Sequence, residues 1–176
     1  MTGAERVLAA LNFEEPDRIA ISDSPWGTTV ERWHQEGLPE GVSPSEYFGF
    51  EFSGHGFDGS LRLPAELLEE TDEYVIDRNG EGAVHRNWKH ATSTPECIDF
   101  AIKTRADWDA VKGNLSFTPD RVDIPAAKAG QERANAAGHF YPLTAAFGYD
   151  RTQGILGSER LLIAMAQEPG WCADMF

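Results

Sequence analysis

The stretch from Gly138 to Gln167 constrains this chain most. Phe140 to Phe147 is an apolar run, Gly148 to Gly157 reads as a polar loop, and a helical pattern follows from Ser158. A strand that empties into a loop and then a helix is the unit from which parallel α/β proteins build ligand sites, because the loop sits at the strand's carboxyl end. Here the loop supplies a phenol, an acid, a fixed cation and two neutral hydrogen-bonding groups in Tyr149, Asp150, Arg151, Thr152 and Gln153. The bland alternative is that Asp150 and Arg151 form an exposed pair of little energetic weight.

Upstream, Thr2 with Glu5 three residues on is a capping box. Ala4, Val7, Leu8 and Leu11 then fall on one face of a helix that must stop before Pro16. Asp17 to Asp23 reads as the first strand, with Ser22 and Asp23 arriving at its carboxyl end. A brief helix over Val30–Gln35 ends near Gly37, and another spans Pro44–Phe48. The glycine-dense segment from Phe50 to Arg62 reads as loop, with His55 and Asp58 as its titratable groups. Asn79-Gly80 is a strong two-residue hairpin signal, which predicts Val75 opposite Val84 and Glu73 opposite Arg86. Ile98–Ile102 is the next strand, Thr104 and Asp107 cap a helix through Val111, and a turn follows at Lys112–Asn114. Asp123 and Pro125 open a longer helix to Ala137, closed by Gly138. Ser158 caps a helix whose Leu161, Leu162 and Met165 point inward, and Pro169 opens a last turn with Trp171, Cys172 and Met175.

The 176 residues give room for one domain, and 41% hydrophobic content suffices for a core. Twenty-nine acidic residues against 15 basic give a formal charge of -14 with no basic stripe, which disfavours a nucleic-acid partner. No apolar run is long enough for a membrane span, and Glu5 and Arg6 interrupt the start where a secretory signal needs apolar residues, so a cytoplasmic address is expected. Cys97 and Cys172 match neither a CxxC nor a zinc spacing and are expected as reduced thiols.

Three blocks of sequence resemble the uroporphyrinogen decarboxylase-like superfamily, which also holds zinc- and corrinoid-dependent methyltransferases. Glu5-Arg6-Val7-Leu8-Ala9-Ala10-Leu11-Asn12-Phe13-Glu14-Glu15-Pro16-Asp17-Arg18-Ile19 is similar to the family's opening helix and the Pro-Asp-Arg that leads into its first strand. The hairpin followed by Lys103-Thr104-Arg105-Ala106-Asp107-Trp108 resembles the methyltransferase-like branch. Gly157-Ser158-Glu159-Arg160-Leu161-Leu162, followed by Glu168-Pro169, resembles the loop and helix after an early barrel strand. The resemblance implies an α/β fold, the N-terminal portion of a TIM (β/α)8 barrel with an inserted antiparallel hairpin. Such barrels take roughly 250 residues, so residues 1–176 are expected as a single uroporphyrinogen decarboxylase-like domain incomplete at its C-terminus, associating with itself or with the missing half.

The activity implied is that of a lyase of porphyrin biosynthesis, a decarboxylase acting on a small molecule. The alternatives are a methyltransferase-like barrel segment and an inactive half-barrel that needs a partner chain. Where family decarboxylases carry a Met-Arg-Gln-Ala-Gly-Arg loop for an octacarboxylate tetrapyrrole, this chain has Ser24-Pro25-Trp26-Gly27-Thr28-Thr29, and Gln153 stands where the family's tyrosine is expected. The candidate catalytic residues are Asp23 as proton donor, Arg151 as carboxylate clamp, and Tyr149; Trp26, His55, Asp58 and Gln153 are the candidate substrate contacts. Asp23 reads alternatively as a turn cap and Trp26 as a packed side chain. No cofactor is expected of these residues, since the family's zinc ligands come from the later half of the barrel and Cys97 and Cys172 do not match them.

Overall fold

Thr2 closes the first turn of the opening helix as its capping box requires: its hydroxyl accepts from the Glu5 amide (3.2 Å), and the Glu5 carboxylate accepts from the Thr2 amide (2.7 Å). In the computed structural model, which describes all 176 residues, this helix, α1, spans Gly3–Leu11. Then follow α2 (Gly27–Glu36), α3 (Pro44–Phe48), β1 (His55–Gly56), β2 (Glu66–Glu70), β3 (Tyr74–Arg78), β4 (Ala83–Trp88), β5 (Glu96–Phe100) and α4 (Arg105–Val111). Two short 3-10 turns lead to α5 (Ile124–Ala137), β6 (Leu143–Thr144), α6 (Gly148–Leu156), α7 (Ser158–Gln167) and α8 (Pro169–Met175). The fold is mixed α/β, and its sheets do not close into a barrel.

Two compact units form. The first comprises residues 1–57 and 122–144. Its sheet is the parallel pair β1–β6, with His55 opposite Leu143 and an added bridge between Phe52 and Phe140. The strand expected over Asp17–Asp23 does not form, because this segment has a single backbone bond to a neighbour, from the Glu51 amide to the Ile21 carbonyl (2.8 Å). Its anchor is instead a buried carboxylate. Glu51 accepts from Arg6, from Arg18 Nη1 (2.8 Å) and Nη2 (3.0 Å), and from the Ile21 amide (2.9 Å). Arg6 also grips Asp17 (2.7 and 2.9 Å), so the Pro-Asp-Arg residues tie α1 to the segment after it. The apolar face expected on α1 is only partly used: Ala4 and Val7 are half-buried and Leu8 and Leu11 exposed, while the buried positions are Gly3 and Ala9.

The second unit comprises residues 58–121 and 145–176. Its antiparallel sheet runs β2-β3-β4-β5, so the expected hairpin is the centre of a four-stranded sheet. The pairing differs from the two-residue turn: Val75 lies opposite Asn87 and Arg86 opposite Ile76, not Val84 and Glu73. The reason is a longer loop, Asn79 to Gly82. The Asn79 side chain accepts from the amides of Glu81 (2.9 Å) and Ala83 (3.0 Å), and Gly82 takes the left-handed conformation at φ +80°. The edge strand β2 is exposed throughout and carries Glu66, Glu69 and Glu70, charges that discourage edge pairing.

The polar loop expected over Gly148–Gly157 is a helix up to Leu156. Thr152, Ile155 and Leu156 recur at helical spacing and are buried, which recruits the segment into the core. That core also holds Leu61, Ile102, Trp108, Leu161, Ala164, Trp171, Cys172 and Met175. Leu161 points inward as expected, but Leu162 and Met165 face solvent and Ala164 takes the second inward position. The helices expected at Pro44–Phe48, after Thr104, and from Asp123 to Gly138 all form at those caps.

Candidate functional site

The first unit holds three of the residues singled out from sequence. Asp23 lies in the irregular segment after Ile21, and its Oδ1 accepts from the adjacent Ser24 amide (2.7 Å). Trp26 precedes the first residue of α2 and leaves about half its surface in water (53%). His55 sits in β1, where alternation puts it on the same face as Ser53 and turned toward α5. Phe52 and Phe140 occupy the opposite face, with ring centroids 5.7 Å apart in an edge-on contact. His139, unremarked in the sequence reading, brings Nδ1 to 3.0 Å from Ser53 Oγ. The detectable signal was the two-residue spacing of Ser53 with His55 and of His139 with Tyr141, which puts each pair on one face of an extended segment.

The second unit holds the other four. Arg151 lies in the first turns of α6, and its guanidinium is engaged in the scaffold. Nε donates to the Gly59 carbonyl (3.1 Å), and Nη2 donates to the same carbonyl and to Glu81 (2.8 Å), which also accepts from the Leu61 amide (3.1 Å). Nη1 keeps no partner within the chain. Tyr149 packs against the apolar core. Asp58 is the centre of a loop staple: it accepts from the Ser60 amide (2.9 Å) and hydroxyl (2.6 Å) and from Arg62 Nε (2.6 Å). The Ser60 hydroxyl and the Arg62 guanidinium hold its carboxyl well below the usual carboxylate range. Buried Arg121 completes the staple by donating to the carbonyls of Asp58 (2.7 Å) and Ser60 (3.0 Å).

Gln153 accepts from the Ser158 hydroxyl (3.2 Å) and lines a cleft of about 690 Å³ between β4–β5 and the α6–α7 junction. His85 and Cys97 face each other there as cross-strand partners, with Asp99, Glu159 and Arg160 around them. The volume suits a small organic ligand. Its lining mixes both charge signs, and the Cys97 thiol is already donating to the Asp99 carbonyl (3.8 Å). Cys97 and Cys172 are both free thiols. No group of three or more His, Cys, Asp or Glu side chains is placed to hold a metal ion in either unit, and no helix is long and apolar enough to cross a membrane.

No family model matches the sequence, and no curated protein or solved structure matches it.

Proposed function

We propose that the chain is the N-terminal part of a uroporphyrinogen decarboxylase-like (β/α)8 barrel, acting in its intact form as a decarboxylase on a small carboxylic acid at the strands' carboxyl ends. The observation that carries this reading is the lateral order of the extended segments in the first unit. The Glu51 amide bonds to Ile21 (2.8 Å), the Phe140 amide to Glu51 (2.8 Å), and β1 and β6 run parallel. In sequence, α2 and α3 separate the first two segments, and α5 precedes the third. Parallel neighbours joined through helices are how a barrel grows. Ile19 (85% exposed) and Leu143 (69%) lie on the outer segments, as expected of sheet edges that continue onto further strands. The sheet β2–β5 is, in this reading, an insertion between the second and third barrel strands.

Loss of carbon dioxide leaves an electron pair on carbon, so a proton donor must stand beside the strand ends. Asp23, just past Ile21, is assigned that proton, and Trp26 a wall for the ligand.

Two measurements test the reading, one on this chain and one on an intact barrel that contains it. Sedimentation velocity is expected to show association through the exposed edges; a monomer that unfolds in one cooperative step refutes the partial barrel. In an intact barrel that carries these 176 residues, release of labelled carbon dioxide from carboxyl-labelled acids, uroporphyrinogen among them, is expected to fall about 100-fold in Asp23→Asn, the scale of a lost general acid. Equal release in the two intact proteins removes Asp23 from the chemistry, and no release from any of the acids by the intact wild type rejects the decarboxylase reading.

A further inference from the structure

The face of the strand pair turned toward α5 holds a second cleft, of about 440 Å³, within the range of small-molecule sites. Ser53, His55, His139 and Tyr141 enter it from the extended segments and Arg133 from α5. Gly130 makes the room: a Cβ there would stand 2.5 Å from the Tyr141 hydroxyl, which donates instead to the Ala127 carbonyl (3.0 Å). Arg133 and His55 are uncommitted, whereas Ser53 and His139 bond each other. Arg133 makes no ion pair or side-chain hydrogen bond, nor does the His55 ring, and the His139 ring is bound only through Nδ1, to Ser53 (3.0 Å). In a chain of formal charge -14, no carboxylate lines this cleft, while a guanidinium, two imidazoles and two hydroxyls do.

Such a donor set without an acceptor acid calls for an oxyanion. The guanidinium fork offers two parallel N–H bonds, and the imidazole and hydroxyl donors serve oxygens beyond the two that a carboxylate has. We propose that this cleft binds the phosphate group of a small soluble phosphomonoester, with Arg133 as the main cation, His55 as a further donor, and the Ser53–His139 pair supplying one more. A phosphate on an anionic bilayer is the less suited source, because the protein's net negative charge repels such a surface as a whole. The inference draws on the first unit alone and does not depend on the barrel reading, since the cleft lies on the face away from Phe52 and Phe140.

The test is a titration of the full chain with inorganic phosphate at constant ionic strength, read by the imidazole nitrogen resonances of His55 and His139. Saturable shifts of both rings are expected, with affinity reduced about tenfold in Arg133→Gln, the loss of one charge-assisted contact. Arg133 is exposed on its helix, so the variant should fold normally, and Lys128→Gln on the same helix but outside the cleft should bind as the wild type does. Shifts that chloride reproduces, or Arg133→Gln binding as tightly as the wild type, overturn the site. Arg133-dependent sedimentation with phosphatidic acid vesicles, without affinity for inorganic phosphate, overturns the soluble ligand.

Discussion

Replacing Glu51 by alanine should cost the first unit about 3 kcal/mol, a large share of the roughly 5–15 kcal/mol that holds a typical domain folded. The carboxylate is 6% exposed and takes hydrogen bonds from Arg6, Arg18 and the Ile21 amide. Breaking a buried ion pair from one side costs about 3–5 kcal/mol, and an orphaned buried amide about 1–3 kcal/mol. The sum is discounted because Arg18 is half exposed and regains water, and Arg6 keeps Asp17. Glu51→Gln retains the shape and an acceptor for Ile21, so about 1–2 kcal/mol is expected. Urea denaturation followed by circular dichroism reads the loss. Amide exchange locates it: the Phe140 amide, bonded to the Glu51 carbonyl (2.8 Å), should lose protection. The pH dependence carries a sign. Burial raises the Glu51 carboxyl, but the Ile21 amide and the two arginines outweigh it and hold it below its ordinary value of 4.5. A depressed folded value stabilises above the ordinary one and loses that contribution as pH falls through the folded one. The gap between wild type and Glu51→Ala should therefore close in acid. If both variants unfold within about 0.5 kcal/mol of the wild type at neutral pH, where ordinary surface substitutions fall, the hub is not an anchor.

Gly157 joins α6 to α7 at φ +83°, and a Cβ there would stand 2.6 Å from the Phe100 ring, so Gly157→Ala should lose about 2–3 kcal/mol in urea unfolding. Gly154, inside α6 with open space around it, should gain about 0.5–1 kcal/mol as alanine, and equal effects at the two glycines would refute the close approach to Phe100. Trp108 and Trp171 share one core, but Trp108 Nε1 donates to Asp174 (2.8 Å) while the Trp171 N–H has no partner. Trp108→Phe should therefore cost about 2–3 kcal/mol, and Trp171→Phe about 1 kcal/mol or less because the lost volume is offset by removing an orphaned donor. The reverse order in thermal or urea unfolding would show that the Asp174 bond does not decide the difference.

Local signals were legible wherever a few neighbouring residues settle the outcome. The caps at Thr2, Thr104 and Asp123 and the left-handed ends at Gly37 and Gly138 depend on side chains within four positions, and all stand in the structure. The hairpin was legible but its register was not, because Gly82 as well as Asn79-Gly80 fits a turn and only cross-strand packing selects the longer loop. Of the site candidates, residue type was readable and availability was not: Arg151 read as a carboxylate clamp or as an exposed pair with Asp150, yet its partners Gly59 and Glu81 come from distant segments.

The sequence alone determined where the helices capped by Thr2, Thr104 and Asp123 begin, that the central strands turn back on themselves, and that a strongly acidic chain has few cations to spend. Only tertiary structure decided which cations were already spent, that Gly148–Leu156 is a helix, and that Ser53, His55, Arg133 and His139 share one cleft. Caps and turns are energies of adjacent residues, whereas ion pairs, burial and clefts arise between segments whose encounter the whole fold must first arrange.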